Sequence, residues 1–401
     1  MDNKFDRQFI LITSSNFPTG GAGANYLYLF CKGLKINGFS IKVWLLRGFS
    51  FGNYTRNHKK RNITTEGIPF TYLCFSKRSA KWFVKIVDDF FSFFYLLFYI
   101  FSIIPTRKST ILLLYSTELY PNILIFFFSK LAGVKVVTFV PEYYEKYVFH
   151  GSMFRRIKWY SFLFNFYFLN KLSYKLIVFS FYLKDQYLKL GFSEKNIIIQ
   201  PNLTDFEFWN VKAAPIKYTL GYSGSPSRKD GVYDLLNAVS ILKKDRTDIS
   251  LIVIGDSQSG PSLLPDLKLK CKQLNILENV FFSGLVEIDE VKKLLSGCEI
   301  LVLTRQSTVQ TQAGFPTKLG EYFASRKKII VTNFGDIGQY FAAGKNLVIA
   351  ESGNVEDIAK KIKWVIENEA ASDEIAINGY QTAMQLLEYK NSVKKILDFL
   401  R

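Results

Sequence analysis

The sequence predicts an α/β protein of two successive domains, each built on a largely parallel sheet. Three observations carry that prediction. Val- and Ile-rich apolar runs alternate with helix-patterned segments along the whole chain, as buried parallel strands with helical crossovers require. The chain has 401 residues, more than one ordinary core needs. The charge balance also changes near its middle: residues 1–205 hold 27 Lys and Arg against 11 Asp and Glu, whereas 206–401 hold 25 against 23.

In chain order, the first series of strands is expected at 8–15, 41–47, 70–75, 111–116, 135–140, 176–180 and 197–200. Helical patterns such as 24–36 and 122–132 lie between most of them. The stretch 201-PNLTDFEFWN-210 follows, where Pro, Asn and Asp supply turn chemistry and mark the joint. A second series of strands is expected at 219–223, 251–255, 280–283, 300–304, 328–332 and 347–350. The last segment, 375–401, reads as helical and is able to pack back on the first domain. The domains expected are therefore 1–203, 204–374 and this terminal segment.

The net charge of +18 lies almost wholly in the first half, and a basic half seeks phosphate in some form. Nucleic acid is not the expected partner: no zinc spacing, RNA-binding aromatic signature or recognition-helix pattern is present. The basic clusters instead border aromatic runs. Lys77, Arg78, Lys81 and Lys85 surround Trp82 and Phe83 and precede 90-FFSFFYLLFYIFSIIP-105; a second case is 155-RRIKWYSFLFNFYFLNK-171. Neither apolar run has the roughly 20 residues of a spanning helix. Both fit either helices lying in an anionic membrane interface or core helices of the α/β domain with solvated charges at their ends, and 56-RNHKKR-61 either joins that surface or is simply solvated. Cys31, Cys74, Cys271 and Cys298 show no metal or disulfide spacing, which suits a reducing compartment. The start, MDNKFDRQFILITSS, does not read as a secretory signal. A cytoplasmic protein, peripheral on the inner face of the cell membrane, is the expectation.

In open parallel sheets, ligands bind beyond the carboxyl ends of strands, where loops lead into helices. Four such turns stand out. In 12-ITSSNFPTGGAGANYLYLF-30, Gly20, Gly21 and Gly23 let backbone N–H groups approach an anion at a helix start. The spacing is not the dinucleotide fingerprint, and no acidic residue ends the next strand. In 219-TLGYSGSPSRKDGVYDLLNAV-239, Gly224, Ser225 and Ser227 form a small-residue turn. Arg228 and Lys229 follow it, a pair of cations able to hold a diphosphate. In 312-QAGFPTKLGEYFAS-325, Pro316 favours the first helical position. Lys318 then opposes the helix dipole, as an anion at the helix start would explain. Glu321 lies one turn on, where it either pairs with Lys318 or accepts from the vicinal hydroxyls of a ribose. In 140-VPEYYEKY-147, Glu142 and Glu145 either serve as a base toward an acceptor hydroxyl or balance local charge. His58 and His150 have no supporting context.

The series Gly224, Lys229-Asp230-Gly231-Val232, Gly255-Asp256, 280-VFFSGLV-286 and 314-GFPTKLGEYFAS-325 resembles a family-four retaining glycosyltransferase, and the glycine loop and the joint are similar too. The resemblance spans nearly the whole chain and is sharpest in GFPTKLGEY. It implies the GT-B fold, two Rossmann-like domains facing a central cleft. It implies a donor, UDP- or GDP-linked, held by Gly20, Gly21, Gly224, Ser225, Arg228, Lys229, Gly314, Phe315, Pro316, Thr317, Lys318 and Glu321. Glu321 would take the ribose, Lys229 the diphosphate, and Gly314 and Phe315 the sugar ring; Glu142 joins Lys229 and Glu321 as a candidate catalytic group. Two positions depart from the pattern. Ala313 stands where many relatives have a first glutamate, and Ser225 where an arginine is common.

The expected reaction is metal-independent transfer of a sugar, with retention, to a lipid-linked or growing glycan acceptor in cell-surface polysaccharide assembly. The absence of an Asp-x-Asp motif fits that chemistry, and no cofactor or metal is implied. The rivals are a nucleotide-sugar epimerase on the same fold and a non-catalytic scaffold, for which Ala313 and Ser225 speak. A nicotinamide dehydrogenase lacks its fingerprint.

Overall fold

In the computed structural model the residues described are 7–48, 62–74, 81–149, 151, 153–210, 214–245, 248–257 and 260–401. His58, His150, Lys77, Arg78 and the 56–61 loop lie outside them. The chain divides into two compact units, Met1–Leu203 with Tyr389–Arg401, and Thr204–Glu388. Each is a Rossmann-like α/β unit.

The first unit's strands are β1 (Gln8–Thr13), β2 (Ser40–Leu45), β3 (Asn62–Thr65), β4 (Ile68–Tyr72), β5 (Thr110–Tyr115), β6 (Lys135–Val140), β7 (Lys175–Val178) and β8 (Ile197–Ile199). Their order in the sheet is β3-β4-β2-β1-β5-β6-β7-β8, parallel except for β3. Sequence reading missed β3: its NITT has no apolar run, and its position follows from the hairpin turn at Glu66-Gly67, both at positive φ. The helices are α1 (Ala22–Ile36), α2 (Trp82–Ser102), α3 (Leu119–Ala132), α4 (Met153–Tyr167) and α5 (Phe181–Lys189). Side chains alternate across the central strands. Ile10, Ile12, Leu112 and Leu114 meet α2 and α3 through Leu96, Ile100, Ile125 and Phe126. Ser180 caps α5 by accepting from the Leu183 amide at 3.2 Å.

Helices α2 to α4 carry two apolar stripes each. On α2 the inward stripe includes Leu96 and Ile100, while Phe83, Val87, Phe90, Phe94, Phe98 and Phe101 recur at helical spacing on the exposed side. Helix α2 has 21 residues, but Lys85, Asp88 and Asp89 interrupt it. No helix among the described residues is long and apolar enough to cross a membrane.

The second unit begins with α6 (Phe206–Trp209). Its strands are β9 (Tyr218–Ser223), β10 (Leu251–Ile254), β11 (Val280–Gly284), β12 (Cys298–Leu303), β13 (Lys328–Thr332) and β14 (Val348–Ala350), all parallel, in the order β11-β10-β9-β12-β13-β14. The helices are α7 (Val232–Asp245), α8 (Leu264–Gln273), α9 (Ile288–Ser296), α10 (Val309–Ala313), α11 (Thr317–Ala324), α12 (Ile337–Tyr340), α13 (Val355–Glu367) and α14 (Glu369–Leu387). The runs LIVI and CEILVL are buried almost throughout, as strands covered on both faces must be.

The chain enters and leaves this unit side by side. The Thr204 amide donates to the Leu387 carbonyl at 2.9 Å, and the buried Glu388 carboxylate accepts from the Phe206 amide at 3.0 Å. The segment 375–401 is therefore not one piece. Helix α14 stays with the second unit, and α15 (Tyr389–Leu400) joins the first, burying Tyr389, Val393, Ile396, Leu397 and Leu400. Val393 seats against Gly33 of α1 so closely that a Cβ on Gly33 would lie 2.8 Å from the valine Cβ.

Candidate functional site

Both sheets reverse their strand order beside the first strand of their unit, β1 against β5 and β9 against β12. Loops at such a reversal diverge to opposite faces and leave a crevice at the carboxyl ends of the strands.

In the second unit the crevice is built on Asp230. Strand β9 ends at Ser223, and the chain turns through Gly224–Ser227 into a short 3₁₀ turn at Arg228–Asp230 before α7. Asp230 is buried. Its carboxylate accepts from Arg305 Nε at 2.7 Å and from the Tyr222 hydroxyl at 2.8 Å, and it forms an ion pair with Lys318 Nζ. Lys318 Nζ also lies 2.7 Å from the Tyr222 hydroxyl. Burial alone would raise the Asp230 carboxyl; Arg305 and then Lys318 outweigh it and hold the group well below the usual carboxylate range. Burial pulls the Lys318 ammonium down to about 8; Asp230 opposes the fall and the Arg305 guanidinium adds to it. One carboxylate thus serves two cations, so Lys318 is the less well compensated.

The glycines of this loop make room for that arrangement. A Cβ on Gly224, at φ 123°, would overlap the Lys318 side chain. Gly231, at φ 65°, presses on the Thr304 carbonyl oxygen, and its own carbonyl accepts from Thr304 Oγ1 at 2.7 Å. Sequence reading picked Gly224 but missed Asp230, Arg305 and Tyr222. The signal for Asp230 was there, since it sits between two expected cations and a positive-φ glycine at a strand-to-helix turn. Arg305 carried the weaker signal of a cation just past a strand.

Helix α11 crosses the same place. Pro316, expected at the first helical position, is one residue earlier, in extended geometry as the N-cap; helix ends shift by a residue where backbone bonding starts late. Thr317 and Lys318 form the first turn, with no acidic residue and no side-chain cap. Gly314, also extended, ends α10, and Phe315 is buried against the Tyr340 ring. The Tyr322 hydroxyl accepts from the Ser223 amide at 2.8 Å, pinning α11 to the end of β9.

Glu321 does not pair with Lys318, whose carboxylate is Asp230. The Glu321 carboxylate is half-buried and has no hydrogen-bond or ion-pair partner among the described residues. Burial pushes it up to about 7, with the Lys318 charge opposing the rise. Ala313, the position of the departing glutamate, is fully buried at the end of α10. Lys229 is half-buried in the 3₁₀ turn, and Arg228 shares that turn. The Ser225 carbonyl lies 2.8 Å from the Tyr222 hydroxyl and shares its one proton with Asp230.

In the first unit, Gly20 and Gly21 lie at the β1/β5 reversal. Their φ values of 128° and 113° are open to glycine, and Gly21 is the N-cap of α1. Ser14 donates to Ser116 across the reversal at 3.4 Å, and Arg47 pairs with Glu118 at 2.6 Å beside it. Glu142 lies in the loop after β6, one strand further on, and takes a hydrogen bond from the hydroxyl of the half-buried Tyr144. Glu145 lies nearer Tyr143 and Tyr182.

Several solved structures share this fold. Anabaena HepE in complex with UDP superposes with a TM-score of 0.71 at 14% identity, covering 98% of this chain and 99% of that one. Sucrose-phosphate synthase from Thermosynechococcus elongatus gives 0.72 at 12%, covering 98% of each chain. TarM gives 0.73 at 12%, covering both chains fully. At such identities the likeness is one of fold, and it is to glycosyltransferases of the GT-B type. No curated protein sequence matches the chain. Residues 204–382, which hold Asp230, Arg305, Lys318 and Glu321, match the family described as Glycosyl transferases group 1.

Proposed function

We propose that this protein is a GT-B glycosyltransferase whose second unit holds a nucleoside-diphosphate sugar, with Glu321 binding the ribose. The observation that carries the reading is the state of Glu321. A half-buried carboxylate with no hydrogen-bond or ion-pair partner among the described residues is costly unless a ligand satisfies it, and two vicinal hydroxyls donate to one carboxylate well. Asp230 keeps Lys318 away from that carboxylate, so the acceptor oxygens stay available. The first-turn amides of α11 and the cations Lys229 and Arg228 would face the diphosphate, stabilising it as it departs. Gly314 and Phe315 would border the sugar.

HepE, a fold relative, is a UDP complex, and a UDP- or GDP-linked donor suits this site. The finer reading is transfer with retention and without a metal. The acceptor would be lipid-linked or a growing glycan, recognised by the first unit with Gly20, Gly21 and Glu142 near it. The work would be done at the inner face of a membrane, in cell-surface polysaccharide assembly.

The test is release of nucleoside diphosphate from UDP-glucose, UDP-galactose, UDP-N-acetylglucosamine and GDP-mannose by the purified protein. One donor should be turned over, and Glu321→Ala should lower kcat/KM by roughly 10- to 150-fold, about 1.5–3 kcal/mol. No turnover of any donor, or an unchanged variant, would overturn the assignment.

A further inference from the structure

We infer that α2, α3 and α4 form one docking face for an anionic lipid bilayer. The inference rests on the peripheral placement proposed above, though not on the Glu321 site.

The three helices are consecutive neighbours on one side of the sheet. Phe93 of α2 meets Tyr120 of α3 with ring centroids 5.9 Å apart, and Phe101 meets Phe128 at 5.6 Å. Asn122 of α3 donates to Asn165 of α4 at 2.7 Å. Each helix already has a buried side that satisfies the core. Each then presents a second apolar stripe outward at helical spacing: Phe90, Phe94 and Phe98 on α2, Ile123, Phe127 and Leu131 on α3, Ile157, Tyr160 and Phe164 on α4. Phe98 is 67% exposed and Leu131 65%, so these are not half-covered core residues. Single exposed apolar side chains need no explanation, but three adjacent stripes do.

The charge around the face selects its occupant. Residues 81–172 hold 11 Lys and Arg against 5 Asp and Glu. Lys81 at the start of α2, Arg107 and Lys108 after its end, Lys130 on α3 and Arg155 and Arg156 on α4 are all exposed. Of the acidic residues, Asp88 is buried and Glu118 is held by Arg47. A second copy of the chain, docking by two-fold symmetry, would set this basic rim against itself. An anionic bilayer meets both features at once: acyl chains take the aromatic stripes, and headgroups take the rim. None of the three helices is long and apolar enough to cross a membrane, α2 because Lys85, Asp88 and Asp89 interrupt it, so they would lie in the interface.

The experiment is flotation of the full chain with vesicles of phosphatidylcholine alone, or with about one quarter phosphatidylglycerol. Partition onto the anionic vesicles should be at least about tenfold stronger, and should weaken as salt rises from about 0.1 to 0.5 M. Phe90→Ser/Phe94→Ser/Phe98→Ser, all at exposed positions, should lose at least about tenfold of that partition with its thermal unfolding unchanged. Arg155→Glu/Arg156→Glu should abolish the preference for phosphatidylglycerol. Wild-type binding that ignores the anionic lipid, or a triple variant that binds as wild type does, would overturn the inference. So would a wild type that stays off both vesicles and runs as a dimer the triple variant abolishes. A nucleotide titration on the same triple variant separates the two readings: it should match the wild type, because no substituted residue lies in the second unit.

Discussion

Asp230 decides the local electrostatics of the second unit. It is the one buried anion that Arg305 and Lys318 share, and removing it leaves two desolvated cations facing each other. Asp230→Asn should therefore cost about 3–5 kcal/mol of stability at neutral pH, read by denaturant unfolding. Its carboxyl is held low in the folded state. That contribution is full above the ordinary aspartate range and is lost as pH falls through it toward the depressed value. Glu321 has the opposite sign. Its carboxyl is raised to about 7, so the folded protein keeps that proton more tightly than the unfolded chain does. The unliganded protein should lose stability as pH rises from the ordinary glutamate range to about 7, and lose no more from this group beyond it. Nucleotide affinity should run the other way, because only the ionised carboxylate accepts from both ribose hydroxyls. Between pH 8 and pH 6 affinity should fall by about tenfold, and Glu321→Gln should flatten that dependence. At this scale the sequence named Glu321 and Lys318 together, since their spacing puts them on one face of a helix. It did not show that Lys318 turns to Asp230, because that contact joins positions 88 residues apart.

The site depends on how two elements meet. The turn before α7 and the start of α11 come together because glycines let them. Gly231→Ala, at φ 65° and hard against Thr304, should destabilise by more than about 1 kcal/mol and also weaken nucleotide binding, since it would push apart Asp230 and Arg305. A thermal melt with and without nucleotide measures both effects. Strand-to-helix turns were legible in the sequence because Val- and Ile-rich runs end in small residues. Strand β3 was not, because a polar edge strand has no apolar face to display. Helix α2 was half legible. Its aromatic run showed, but a helix apolar on both sides does not reveal which side is inward; only Leu96 and Ile100 against the sheet settle that.

The whole chain pairs a basic unit with a nearly neutral one, and the crossing at Thr204 and Glu388 returns the last helix to the first unit. Helix α15 covers α1 with five buried apolar side chains. Deleting Tyr389–Arg401 should lower the melting transition of the first unit by roughly 10–20 °C and leave the nucleotide-stabilised transition of the second in place. Two Rossmann-like domains could be read from the strand rhythm. The split between α14 and α15 could not, because both are amphipathic helices and their partners lie far away in sequence. Nucleotide capture at Glu321 underlies the activity proposed for the whole chain. The direct measurement is calorimetric titration of UDP and GDP into the wild type and Glu321→Ala at pH 8. One of the two should bind the wild type, and should bind the variant roughly 10- to 150-fold more weakly. Equal affinity in both proteins, or heat from neither nucleotide, would contradict it.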